Sequence, residues 1–143
     1  MTRYLLDTDT CTHLLRHHPA VVLAVAAHLP TELVVSIITV EELWDGWQAV
    51  IRKAKTPPQV AAAYTRLTDT IHELKNWTVV PFPEPAVHQY ADLKARKLNV
   101  GANDLRIAAT GLEAGATVVT ANVRDFRRVP GLQIEDWTST GGA

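Results

Sequence analysis

Apolar and polar positions along this chain follow two different periods, and the switches between them predict the order of strands and helices. Tyr4-Leu5-Leu6, within Arg3–Asp7, is a short unbroken apolar run, as expected of a parallel strand covered on both faces. Leu33–Ile38 is β-branched and is predicted as a second strand, with Trp77–Phe82 and Thr117–Thr120 as further ones. Gln133-Ile134-Glu135, after the Pro130-Gly131 turn, predicts an edge strand. Helical spacing fills the intervals. Thr10–His17 is predicted as a short helix, and Pro19–Leu29 as a second, with proline in its first turn. Thr39 and Glu42 have the spacing of a capping box, ahead of Val40, Leu43, Trp44, Trp47, Val50 and Ile51 at the helical period. Thr56-Pro57-Pro58 ends that helix, and Gln59–Asn76 is predicted as the next. Pro85–Leu98 and a helix opened by Asn103 or Asp104 and closed by Gly115 complete the set.

Strands alternating with helices predict an α/β fold of three layers, α/β/α, around a mostly parallel sheet of four or five strands. The 143 residues suffice for one domain, expected over 1–137, with 138–143 as a flexible tail. Apolar residues make up 47%, which excludes a disordered chain. The net charge of −1 gives no global field for nucleic acid, so any such binding must come from local clusters. Cys11 is the single cysteine, which excludes an internal disulfide and suits a reducing, cytoplasmic setting. The longest apolar stretch, Ala20–Ala27, is too short to span a bilayer, so no membrane role is expected.

The candidate chemistry lies in acids from separate segments. Asp7 closes the first strand, Glu42 follows the second by one helical turn, and Asp104 opens a late helix. Asn122 or Asp125 follows the strand Thr117–Thr120. In a parallel sheet all of these fall at the carboxyl edge, where ligands bind. Carboxylates gathered there repel one another, so a cation is the expected companion, and an all-oxygen donor set suits Mg²⁺ or Mn²⁺, one or two ions.

The ordered set Tyr4–Thr10, Ser36–Gly46, Asn103–Thr110 and Thr120–Phe126 resembles a PIN domain, and more closely a VapC-type toxin ribonuclease. The resemblance implies metal-dependent endonucleolytic cleavage of RNA, a homodimer, and neutralisation by a VapB-like antitoxin. It places Asp7, Glu42 and Asp104 at the family's acidic metal positions. Its fourth position falls on Asn122, with Asp125 three residues on, so both stay candidates. Thr8, Asp9 and Thr120 would orient waters or ligands behind the metal. Arg106, Arg124, Arg127 and Arg128 would grip RNA phosphates, with Lys94, Arg96 and Lys97 as a second basic stretch.

Blander and rival readings stand beside this one. Asp104 can be a simple helix cap, and Glu42 the capping partner of Thr39. His13 and His17 have zinc spacing but lack a third soft ligand. Trp44 and Trp47 read as core or dimer contacts, and Gly46 as an opening for substrate or a site of close helix packing. Asp7-Thr8-Asp9 also resembles the D-x-D of haloacid-dehalogenase-like phosphatases, although no suitable later lysine accompanies it. A non-catalytic PIN-like module that binds RNA or protein is the remaining alternative.

Overall fold

The computed structural model describes residues 2–139, so most of the 138–143 tail lies outside the described residues. Five strands form one sheet: β1 (Tyr4–Leu6), β2 (Leu33–Ser36), β3 (Val79–Val80), β4 (Thr117–Val119) and β5 (Ile134–Glu135). Their order is β3-β2-β1-β4-β5 and every pairing is parallel. Seven helices accompany them among the described residues: α1 (Thr8–Leu15), α2 (Pro19–Ala26), α3 (Ile37–Lys53), α4 (Pro57–Leu74), α5 (Glu84–Ala95), α6 (Ala102–Ala114) and α7 (Val123–Phe126).

Alternation along each strand feeds two cores. Leu5, Val34 and Val118 pack with Leu93 of α5, with Leu105, Ile107 and Ala108 of α6, and with Phe126 of α7. Leu6, Val35 and Val119, one residue on, pack with Cys11 and Leu14 of α1, with Val25 of α2, and with Trp137. A strand clothed on both faces must be apolar at consecutive positions, which is why these segments lack polar alternation. The three-layer prediction therefore holds.

Local starts differ from the sequence prediction in ways that bear on the site. The second strand stops at Ser36, whose hydroxyl accepts the Ile38 amide at 3.0 Å and caps α3. The predicted capping box of Thr39 with Glu42 does not form. Thr39 already lies inside the helix and is fully buried. The true capping box joins Thr56 and Gln59, and Pro57-Pro58 begin α4 rather than only ending α3. Helix α6 starts at Ala102 behind Gly101, so Asp104 occupies the third helical position instead of the cap. The short helix α7 has no counterpart in the sequence prediction. Trp44 is 48% exposed, which excludes the core and leaves the dimer-contact alternative of its assignment.

The chain adds β2 and β3 on one side of β1, then returns to add β4 and β5 on the other. The order reverses between β1 and β4, and such a reversal opens a crevice at the carboxyl edge. Asp7 follows β1 directly and Thr120 follows β4, with the Asp7 amide bonded to the Val119 carbonyl at 3.0 Å.

Candidate functional site

Asp7 is the buried anchor of this crevice, only 3% exposed. Its carboxylate caps α1 by accepting the Thr10 amide at 2.8 Å. Burial raises its pKa above the ordinary value. Hydrogen bonds from the Thr120 side chain and from Thr10 counter that rise, and the charge of nearby Asp9 adds to it. Cap and site residue are thus one and the same here. Thr10 is held in turn by donating its hydroxyl to the Val119 carbonyl at 3.0 Å.

Glu42 reaches the same edge from the second turn of α3. The Thr8 hydroxyl donates to its Oε1 at 2.6 Å and lies 3.0 Å from the buried Thr39 hydroxyl. A short O–H···O⁻ bond of this kind fixes a carboxylate firmly. Thr39, read in the sequence as a cap, instead braces the residue that orients Glu42.

Asp104 stands half-buried on the first turn of α6. Its pKa is raised to about 6, first by burial and then by the charges of Asp7, Glu42, Asp9 and Asp125. Four further carboxylates, from β1–α1, α3 and α7, therefore act on this one group. The fourth corner is a linked pair. The Asn122 amide nitrogen Nδ2 donates to Asp125 Oδ2 at 3.0 Å, and the Asn122 backbone amide donates to Thr120 Oγ1 at 2.9 Å. Asp125 carries the charge of that pair and also meets Arg128 at 3.3 Å.

Among the described residues, no three His, Cys, Asp or Glu side chains stand close enough to clasp a single ion together. The carboxylates share a field without touching. The donor set still fits a hard dication, since all its donors are oxygens and Mg²⁺ keeps much of its own water, so few direct ligands are needed.

The basic residues divide by environment. Arg106 donates to Asn103 Oδ1 at 2.6 Å and lies over Tyr90, its guanidinium carbon 4.7 Å from the ring centroid. Arg128 donates to the Asn99 carbonyl at 2.8 Å and pairs with Asp125. Arg124 and Arg127 are exposed and, among the described residues, their side chains have no hydrogen-bond partner. Lys94, Arg96 and Lys97 are also exposed, on α5 and just beyond it. Gly46 faces open space, because a Cβ there would meet nothing within 4 Å. Close helix packing is therefore not its role. His13 packs edge-on against His18, with ring centroids 5.0 Å apart. The sequence named Thr8 as an orienting residue but not Glu42 as its partner, and it missed Thr39 as the brace, because both contacts are tertiary and leave no local spacing to read.

The PIN domain family model matches residues 4–132. Ribonuclease VapC1 of Haemophilus influenzae is 32% identical over 140 residues, covering 94% of this chain and 98% of the relative. The tRNA(fMet)-specific endonuclease VapC of Salmonella typhimurium is 29% identical over 140 residues, covering 96% and 99%. Among solved structures, DNA-bound VapBC from Salmonella typhimurium superposes with a TM-score of 0.79 at 27% identity, over 96% of this chain and 99% of the matched one. VapBC-1 from nontypeable Haemophilus influenzae gives 0.78 at 28% identity, over 96% and 100%.

Proposed function

The chain belongs to the PIN domain family, as a VapC-type toxin of a toxin–antitoxin system, and from that premise we propose that it is a metal-dependent endoribonuclease. Asp7, Glu42 and Asp104 would hold Mg²⁺ or Mn²⁺ in part through the ion's own waters, with the Asn122–Asp125 pair at the rim. The observation that carries this is the mutual field of acids drawn from four segments to one sheet edge. A protein that only binds partners gains nothing from such repulsion. Cytoplasmic RNA would be the substrate, a VapB-like antitoxin the partner, and a homodimer the assembly.

When bound, the dication supplies charge neutralisation at the phosphodiester and acidifies water for attack on phosphorus. The chain's own groups do the rest. The Thr10 amide aims the Asp7 carboxylate, and Thr10 and Thr120 oppose the upward pull of burial on its pKa. Thr8, braced by Thr39, sets the direction of Glu42. Asp104, with no hydrogen bond to its side chain among the described residues, is free to adjust to the metal and substrate. Arg124 and Arg127 are open to phosphates flanking the cut, whereas Arg106 and Arg128 are tied to the protein and act by holding Asn103, Asn99 and Asp125 in place.

The test is cleavage of single-stranded RNA in Mn²⁺ by the wild type and by Asp7→Asn and Asp104→Asn, each shown folded by circular dichroism. Cleavage should vanish in both variants. Retention of wild-type rates in either one would remove that residue from the chemistry, and retention in both would end the nuclease reading.

A further inference from the structure

A cleft of about 650 Å³ runs from the acidic edge between α1, α3 and α4, and nothing in the metal chemistry uses it. Its near wall is Thr8 and Glu42, the hydrogen-bonded pair already placed at the site. Its far part holds Trp47 of α3, with the Arg66 guanidinium of α4 lying 5.0 Å from the ring centroid. The volume is in the range of sites that take one small organic group.

We propose that this cleft is a nucleobase subsite, which receives one unpaired base of the RNA next to the scissile phosphate and stacks it against the Trp47–Arg66 pair. Such a subsite presupposes RNA cleavage at the acidic edge and adds how the strand is gripped there. Three observations converge on a nucleotide. The cleft is walled at one end by Glu42, one of the site's carboxylates, so a base seated in it would lie beside the cut. Trp47 and Arg66 offer the two kinds of plane on which unstacked bases rest, an indole and a guanidinium. Arg16, Arg66, Asp69 and Glu73 also line the cleft, and among the described residues none of their side chains has a hydrogen-bond or ion-pair partner. All four are exposed, and two cations and two anions around one opening suit an occupant that is itself mixed. A nucleotide brings a phosphate for a cation, an amino edge for a carboxylate, and an apolar face between them. An apolar peptide segment would bury those charges without answering them.

Gly46 fits the same picture. It lines the cleft beside Trp47, and a Cβ there would meet nothing within 4 Å. Leucine at this position should therefore fill the recess while leaving the fold intact.

The experiment uses a single-stranded RNA of about ten nucleotides, long enough for a site of this size. A companion series carries one abasic nucleotide at each position around the cut. In the wild type, one abasic position beside the cut should raise KM about tenfold, the scale of losing one stacked base. Trp47→Ala should raise KM for the intact RNA by a similar factor, change kcat less, and become indifferent to that abasic position. Trp47→Phe should recover most of the loss, and Gly46→Leu should raise KM without lowering the melting temperature. Unchanged KM in Trp47→Ala and Gly46→Leu, with wild-type sensitivity to every abasic position, would overturn the subsite while leaving the nuclease reading standing. Loss of antitoxin binding alone, with cleavage intact, would overturn it too and make the cleft a protein-docking surface. Absence of any cleavage by the wild type would remove the parent reading and the subsite together.

Discussion

Replacing Asp104 with asparagine should stabilise the metal-free protein while destroying its activity, and the magnitude follows from the site. The carboxyl is pushed from its ordinary 3.8 to about 6 by burial and by Asp7, Glu42, Asp9 and Asp125. A rise of that size corresponds to at most about 3 kcal/mol of charging penalty at neutral pH. Asp104 keeps part of its surface in water, which reduces the figure to about 1–3 kcal/mol. Two opposing effects are smaller. No hydrogen bond to the side chain is lost among the described residues, and the favourable meeting of a negative charge with the N-terminus of α6 is worth only about 0.3–1 kcal/mol. The sign with pH is fixed by proton binding. Between pH 3.8 and about 6 the folded state binds more protons at Asp104 than the unfolded state, so wild-type stability falls as pH rises through that window. The asparagine variant has no such term. Its advantage should be near zero at about pH 3 and reach its full size above about pH 7, as a rise in Tm on the order of several degrees for a domain of this length. Circular-dichroism melting in a chelator across that pH range measures it. A variant that melts below the wild type at neutral pH, or whose advantage does not change with pH, would refute the account of Asp104 as a group held against its neighbours' charge. Added Mn²⁺ should reverse the ranking, because only the wild type gains from binding it.

Two glycines should respond to alanine with opposite signs. Gly46→Ala places its methyl in open space and should stabilise α3 by about 0.5–1 kcal/mol. Gly111→Ala sets a Cβ 2.8 Å from Val118 Cγ2 and 3.4 Å from Leu132 Cδ1, in a core with no slack, and should cost about 1–2 kcal/mol despite the better helix former. Urea melts of both variants test this, and a shared sign would show that backbone propensity outweighs packing here. Arg124→Ala and Arg127→Ala should raise KM for RNA and flatten its salt dependence, by roughly 0.7 in log–log slope for each phosphate of a single strand that is no longer neutralised. A slope that stays the same in either variant would remove that arginine from the RNA surface.

The parts of this fold set by local pattern were legible in the sequence. Leu5 and Leu6 must face opposite layers, so an unbroken apolar run announced a doubly covered strand and fixed where Asp7 emerges. The start of α3 was not legible in the same way. Thr39 and Glu42 have capping-box spacing, but Ser36 lies three residues earlier at the end of β2 and takes the cap first. Only the tertiary partner Thr8 shows what Thr39 and Glu42 do instead. The core alternative for Trp44 failed for a related reason. The helical period identifies an apolar face, but it does not reveal how much of that face the neighbouring elements cover, and Trp44 stays half in solvent. The sequence could order the acids along one edge, but their coupling depends on β1 and β4 lying side by side.

The three candidate ligands are held with unequal rigidity, and that inequality has a physical logic. Asp7 is fixed by the Thr10 backbone amide with the Thr120 side chain beside it, donors that oppose the upward pull of burial on its pKa. Glu42 is fixed by one short bond from Thr8. Asp104 is fixed by its helix alone and receives the repulsion of all the others. An incoming dication would therefore find two carboxylates already aimed and a third whose charge is the most costly to maintain without it. The largest electrostatic relief would fall on the least constrained group, so the acid that most destabilises the metal-free protein would also be the one best able to close on an ion.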